Sequence, residues 1–366
     1  MYSFSPRSFH LQWHITERCN LSCKHCYFDQ KFIKEELSKE SLFKIFDKYI
    51  KQIKFWKLNK EKSRITFIGG EPFIREDFYE LLQKAYDNSR VTDYGIATNG
   101  TLINKNSAII LKDLMVNYVQ VSLEGRKAVN DSIRGKGSFI KAIRSLKILK
   151  KAGLNISISF TASKMNIEEI PYLIKIALNL GIKNLSVRRL VPIGRGKDIR
   201  KMLLTPEEIK RLYLYSAYAN QKTGLKMDLG CESGILAQIP FFFPNRCSAG
   251  YLSFSILPNG DIFPCRRLPL YAGNLLKESF NNIYYDSKIF KQLRNINNIN
   301  SSCKNCPYFS ECGGGAKCIN YGYFQNPFSP DPQCWRLFKN LPPALFKIEK
   351  EKKENKLDER WIIKNK

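Results

Sequence analysis

The sequence predicts an α/β fold: a partial (β/α)6 TIM-like barrel followed by a small, irregular, Cys-rich domain ordered by metal. Three observations predict it. Short runs rich in β-branched and aromatic residues alternate with longer amphipathic stretches up to about residue 200, the pattern of parallel β/α units. At 366 residues the chain exceeds what one small core normally organises, so a large domain and a smaller one are expected. The eleven cysteines are unevenly placed: three stand at 19, 23 and 26, and the other eight lie between 231 and 334.

The elements follow in order. Strands are expected at residues 9–15, 64–69, 94–97, 118–122, 154–161 and 184–190. Ser38 caps a helix running to about residue 56, and Asn166 precedes another over 167–180, where Pro171 is tolerated in the first turn. Gly153 and Gly181 stop two helices just before the next strand. A turn containing Pro192, Gly194 and Gly196 leads to one more helix over about 205–223. From about 229 to 335 the rhythm fails, and Cys, Gly, Pro and Asn dominate, as in regions that metal rather than a packed core holds in place. The expected organisation is a barrel at 8–200, a linker helix region at 201–229, a Cys-rich domain at 230–340 and a charged tail at 341–366. There is no internal repeat beyond the alternation.

Composition removes several classes. A chain that is 43% hydrophobic and 13% aromatic is not disordered, even with a net charge of +27. No apolar run reaches the ~18–20 residues of a membrane helix, and residues 1–10 lack a basic-then-apolar signal, so a cytoplasmic protein is expected. Thiols stay reduced in that compartment, and the cysteines therefore point to metal rather than disulfides.

Cys19, Cys23 and Cys26 form a CxxxCxxC motif directly after the first strand. Three thiolates on one short loop can hold three corners of a cubic iron–sulfur cluster and leave the fourth iron open. Zinc is the alternative; it would need a fourth ligand, for which His25 and His14 are the near candidates. Polar groups follow the other strands where a barrel collects its catalytic residues: Gly69-Gly70-Glu71-Pro72, Thr98-Asn99-Gly100-Thr101, and Ser122-Leu123-Glu124-Gly125 with Arg134-Gly135 behind it.

This combination resembles the radical S-adenosylmethionine superfamily over about residues 9–200. The resemblance implies a [4Fe–4S] cluster on Cys19, Cys23 and Cys26 whose open iron is chelated by the amino and carboxylate groups of S-adenosylmethionine. It also implies that Gly69 and Gly70 let backbone atoms approach the ammonium and that Glu71 accepts its hydrogen bond. Thr98, Asn99 and Ser122 would contact the methionine or ribose portion. Glu124 stands where many relatives have Asp.

A second constellation comprises Cys247, Gly260 to Cys265, Cys303, Cys306, Cys312, a Gly-Gly-Gly run and Cys334. It resembles the SPASM domain, a C-terminal extension of the same superfamily carrying auxiliary iron–sulfur clusters; a generic thiolate zinc site is the alternative. By the family pattern Cys303, Cys306, Cys312 and Cys334 bind one complete cluster, and Cys247 and Cys265 belong to another. The usual pattern has a further cysteine four positions after Cys312, where this chain has Ala316. Cys318 and Cys231 could each supply a ligand, donate hydrogen to a substrate radical, or be a small buried hydrophobe.

The chemistry implied is reductive cleavage of S-adenosylmethionine to methionine and a 5′-deoxyadenosyl radical that takes hydrogen from an unactivated C–H bond. The electron would come from a reductant such as flavodoxin or ferredoxin. Most relatives with this extension modify ribosomally made peptides, which makes a peptide or protein the expected substrate; a haem-pathway tetrapyrrole or other small cofactor is the rival. The sulfatase-maturing relatives have an aspartate after the cysteine matched by Cys265, where this chain has Arg266 and then Arg267. Cys19 comes too early for a leader-binding module before the barrel, so a peptide's leader is expected to bind elsewhere on this chain or through a separate leader-recognition protein. The positive charge favours an acidic partner, nucleic acid being the weakest reading. A non-catalytic metal scaffold is the remaining class.

Overall fold

All six expected strands form: β1 (Phe9–His14), β2 (Ser63–Ile68), β3 (Asp93–Thr98), β4 (Tyr118–Ser122), β5 (Ile156–Ala162) and β6 (Asn184–Arg189). The computed structural model describes residues 5–28, 36–238 and 246–342, without the side chains of 231–233; the charged tail beyond 342 lies outside them. The six strands lie side by side in chain order, every neighbouring pair parallel. Two short strands extend the parallel set: β7 (Lys226–Asp228) pairs with β6, and β8 (Ser253–Ile256) pairs with β1 on its free side. Runs this short carry no readable alternation, which is why the sequence showed only six strands. From β8 the chain turns back antiparallel through β9 (Asp261–Phe263) and β10 (Gly273–Asn274), giving one ten-stranded sheet in the order β10-β9-β8-β1-β2-β3-β4-β5-β6-β7.

Helices fill the crossovers: α1 (Lys39–Phe55), α2 (Phe78–Asp87), α3 (Lys105–Asp113), α4 (Lys127–Arg134), α5 (Ser138–Lys151), α6 (Ile170–Asn179) and α7 (Pro206–Thr223). The Ser38 side chain caps α1 by accepting from the Ser41 amide, and Thr205 and Glu208 cap α7 reciprocally. α6 starts later than the sequence suggested. A 3-10 turn at Ile167–Glu169 precedes it, and Pro171, which has no N–H to donate, occupies its first turn. Gly153 and Gly181 take left-handed φ of 73° and 60° where their helices end.

Strands buried on both faces normally read as unbroken apolar runs. These alternate instead. Phe9, Leu11 and Trp13 of β1, Ile65 and Phe67 of β2, and Val119 and Val121 of β4 are buried in the main apolar core. The intervening His10, Gln12, Thr66, Gln120 and Ser122 line cavities. His10 Nε2 lies 2.6 Å from Thr66 Oγ1, which also bonds the Tyr118 hydroxyl. The inner face is therefore polar and open, as expected of a barrel that encloses a ligand rather than a packed core.

The Cys-rich region is joined to the barrel by more than β8. Phe9 packs edge-on against Phe254 at 5.0 Å and Tyr284 at 6.2 Å. Arg189 at the end of β6 pairs with Asp331 at 2.8 Å, both side chains 1% exposed, and also donates to Gln333. That pair anchors the segment bearing Cys334 to the barrel rim. Breaking a buried pair of this kind from one side costs about 3–5 kcal/mol. Among the described residues no helix is long and apolar enough to cross a membrane.

Candidate active site

Because the strands are parallel, their C-terminal ends share one rim. The Cys19–Cys26 loop leaves β1 there, Gly69 and Gly70 follow β2, Thr98 ends β3, and Ser122 ends β4. All of these residues line a single cavity.

The cysteine loop is held from several sides. The Gly70 amide donates to Thr16 O and the Glu71 amide to Arg18 O, both at 2.8 Å. Gly69 and Gly70 are needed for this seam: a Cβ on Gly70 would fall within contact distance of the carbonyl oxygens of Arg18 and Glu17. Their immediate role is thus to admit the cysteine loop. Gly70→Ala is expected to cost about 1–3 kcal/mol, because the neighbours are backbone and cannot turn aside. Thermal unfolding together with iron quantitation checks this, both falling if the loop is displaced. Further along, the Lys24 amide donates to Ile133 O, Gly196 N to Cys26 O, and Arg195 Nε to Cys23 O at 2.9 Å.

Donors also face sulfur. Asn99 Nδ2 lies 3.8 Å from Cys19 Sγ, and Arg134 Nη1 lies 3.8 Å from Cys23 Sγ. Burial pushes the Cys19 thiol up to about 11 and raises that of Cys26, so a cation that displaces the protons is what would make these groups thiolates. The three thiols, with N–H donors beside them and a cavity in front, fit a cubic cluster with one open corner. Neither histidine completes a zinc site. His25 Nε2 lies 3.3 Å from Glu124 Oε1. His14, fully buried between Tyr27 and Phe28, is not among the cavity's lining residues.

The two carboxylates behind the rim do different work. Glu71, expected to face the ligand, does not line the cavity. It accepts from Thr98 Oγ1 at 2.7 Å, from the Asn99 amide at 2.8 Å and from the Phe73 amide at 3.4 Å. It therefore positions Thr98 and Asn99, and burial raises its pKa to about 7. Glu124 is a fully buried hub that the motifs alone do not reveal. Arg134, His25, the Thr161 amide and Asn166 Nδ2 all converge on it. Despite the opposing cost of burial, chiefly Arg134 and then His25 hold its pKa near about 2.

The second group of cysteines divides in two. Cys303, Cys306, Cys312 and Cys334 line one small cavity. Burial, reinforced by the neighbouring thiols, pushes Cys303 up to about 12; Cys312, buried beside Asp331, rises to about 11. Four soft donors around a cavity suit a complete cluster. Cys247, Cys265 and Cys318 line a different cavity, which runs along the barrel's inner face past His10, Gln12 and Tyr118. Ala316 lines it as well, as does Gly230, which precedes Cys231; the Cys231 side chain lies outside the described residues. This cavity and the one at the cysteine loop share Gln120, Arg188, Arg266 and Arg267 as walls. The sequence showed Arg266 and Arg267 only as a departure after Cys265, and no local signal placed them inside the barrel. Arg266 lies over the Tyr27 ring at 5.6 Å, and its Nε has no hydrogen-bond partner among the described residues.

Two family models match the chain: the radical SAM superfamily over residues 13–177 and an iron–sulfur cluster-binding domain, SPASM, over 247–307. The mycofactocin maturase MftC of Mycolicibacterium smegmatis is 31% identical over 332 residues, covering 88% of this chain and 82% of that protein. The AdoMet-dependent heme synthase of Oleidesulfovibrio alaskensis is 27% identical over 365 residues, covering 93% and 90%. Among solved structures, Streptococcus suis SuiB bound to S-adenosylmethionine shares the fold with a TM-score of 0.72 at 20% identity, over 89% of this chain and 77% of that one.

Proposed function

Because the chain belongs to the radical S-adenosylmethionine superfamily and carries its SPASM iron–sulfur domain, we propose that it modifies a ribosomally made peptide at a C–H bond, holding a carboxylate of that substrate on Arg266 and Arg267. A bound, reduced [4Fe–4S] cluster with S-adenosylmethionine would supply the radical chemistry needed to take hydrogen from such a bond. Cys19, Cys23 and Cys26 hold the cluster, with Asn99 and Arg134 donating toward sulfur and favouring the thiolate charge. Gly69, Gly70, Thr98, Asn99 and Ser122 form the wall for S-adenosylmethionine, Glu71 fixing two of them from behind. Cys303, Cys306, Cys312 and Cys334 hold one auxiliary cluster, and Cys247 and Cys265 belong to another. The enclosing barrel keeps water and stray thiols from the reacting carbon.

The observation that carries this reading is a shared wall. Two cavities, one at the N-terminal cysteine loop and one at Cys247 and Cys265, share Arg188, Arg266 and Arg267 as wall residues. Arg266, whose Nε has no hydrogen-bond partner among the described residues, can donate to a carboxylate there, as guanidinium groups commonly do. The peptide reading is supported by relatives named as maturases at 31–32% identity. A second reading has support from the heme synthase relatives: a tetrapyrrole would present several carboxylates to the same arginines.

The test uses anaerobically reconstituted, dithionite-reduced protein with S-adenosylmethionine and, in separate reactions, a short peptide encoded beside its gene or a tetracarboxylate porphyrin. A mass change in the peptide, with 5′-deoxyadenosine raised about tenfold over the substrate-free rate (~1.4 kcal/mol of transition-state stabilisation), is the expected result. Porphyrin consumption with an unchanged peptide selects the second reading. Absence of 5′-deoxyadenosine under every condition removes both.

A further inference from the structure

We propose that Cys318 is the third thiolate ligand of the auxiliary cluster on Cys247 and Cys265, taking over from the position held here by Ala316. The inference rests on the proposed assignment of Cys247 and Cys265 and is independent of the substrate. Ala316 carries no donor atom, yet it lines the same cavity as Cys247 and Cys265. It is the extended residue at the start of the helix Lys317–Phe324, with φ −84° and ψ 110°. Cys318 lies in the first turn of that helix, 5% exposed, and lines the same cavity. The helix start is fixed independently of any metal. The Ala316 amide donates to Asp331 Oδ2, the carboxylate that pairs with Arg189, while Asn320 Nδ2 donates to the Gly314 and Ser329 carbonyls. A helix start clamped in this way holds both Ala316 and, two positions along the chain, Cys318 at the wall of that cavity.

The chemistry also favours ligation over the other two roles read for Cys318. Cys318 packs in the main apolar core beside Ala316 and Ile319, yet it also lines, with Cys247 and Cys265 from two other segments, one cavity with polar walls. Three soft donors suffice for three corners of a cubic cluster, as at Cys19, Cys23 and Cys26.

The test measures iron, sulfide and the EPR spectrum of anaerobically reconstituted full-length protein, without reference to turnover. Cys318→Ala is expected to lose the iron of one cluster, about four atoms per chain, together with one EPR component. Adding Ala316→Cys to that variant should restore both. Cys318→Ala protein with wild-type iron and spectrum overturns the proposal. So does a loss of iron that Ala316→Cys fails to restore, since the loss then comes from a disturbed fold. The double variant Cys247→Ala/Cys265→Ala separates the two levels. If it retains every cluster, the site assignment beneath the proposal fails; if it loses one that Cys318→Ala keeps, only the role of Cys318 fails.

Discussion

Replacing Cys23 with alanine is expected to abolish 5′-deoxyadenosine formation and to remove the iron of one cluster, while the auxiliary EPR signals persist. Cys23 is the most enclosed of the three N-terminal thiols, 8% exposed, and it is gripped by the most partners. Arg134 Nη1 faces its sulfur and Arg195 Nε its carbonyl. With only two thiolates on the loop, a cubic cluster would have two corners without protein ligands and would not be retained under reductant. Parallel assays of iron, sulfide and 5′-deoxyadenosine check this. Cleavage persisting above a tenth of the wild-type rate would mean that the loop does not carry the radical-generating cluster. A loss of the auxiliary signals as well would show that the loop also holds the fold.

The second large effect is expected at Glu124. Replacing it with glutamine leaves Arg134 buried without its counter-charge and is predicted to destabilise the protein by about 3–5 kcal/mol at neutral pH. The pH dependence follows from the same ion pair. The folded-state pKa is depressed from 4.5 to about 2, so the contribution is fully present above pH 4.5 and is lost as pH falls toward 2. It amounts to about 3 kcal/mol. Comparing urea unfolding of wild type and Glu124→Gln isolates this group: the gap between them should be constant from pH 5 to 7 and close progressively below pH 4.5. An unchanged gap at pH 3 would show that the charge of Glu124 is not what holds His25 and Arg134. Iron occupancy should fall too, since both partners brace the cysteine loop.

Periodicity and spacing made much of the molecule legible in the sequence. The six longer strands, the capped start of α1, the helix α7, and the polar groups at the ends of β1 to β4 each depend on neighbours a few residues away. The family resemblance grouped Cys303, Cys306, Cys312 and Cys334, and the structure brings all four to one cavity. Glycine is informative as well, but its reason was hidden: Gly69 and Gly70 are required by the cysteine loop arriving from β1, more than forty residues earlier in the chain.

What only the tertiary structure decided are the contacts that join distant segments. It made β8 a neighbour of β1, bringing Arg266 and Arg267 into the barrel, and it turned Glu71 toward Thr98 and Asn99 instead of the cavity. It gathered His25, Arg134 and Asn166 on Glu124, and it brought Cys318 to the cavity of Cys247 and Cys265. The physical reason is common to all of these. A strand or a cap is selected by local backbone geometry, which leaves a periodic trace in the chain. A buried charge cluster or a shared cavity wall is selected by energy terms between residues whose separation in sequence is arbitrary. By itself, then, the sequence determined that this is a barrel with thiol sites at two ends of the chain; the packing of those ends against each other decided that the cavities at Cys19–Cys26 and at Cys247 and Cys265 share arginine walls.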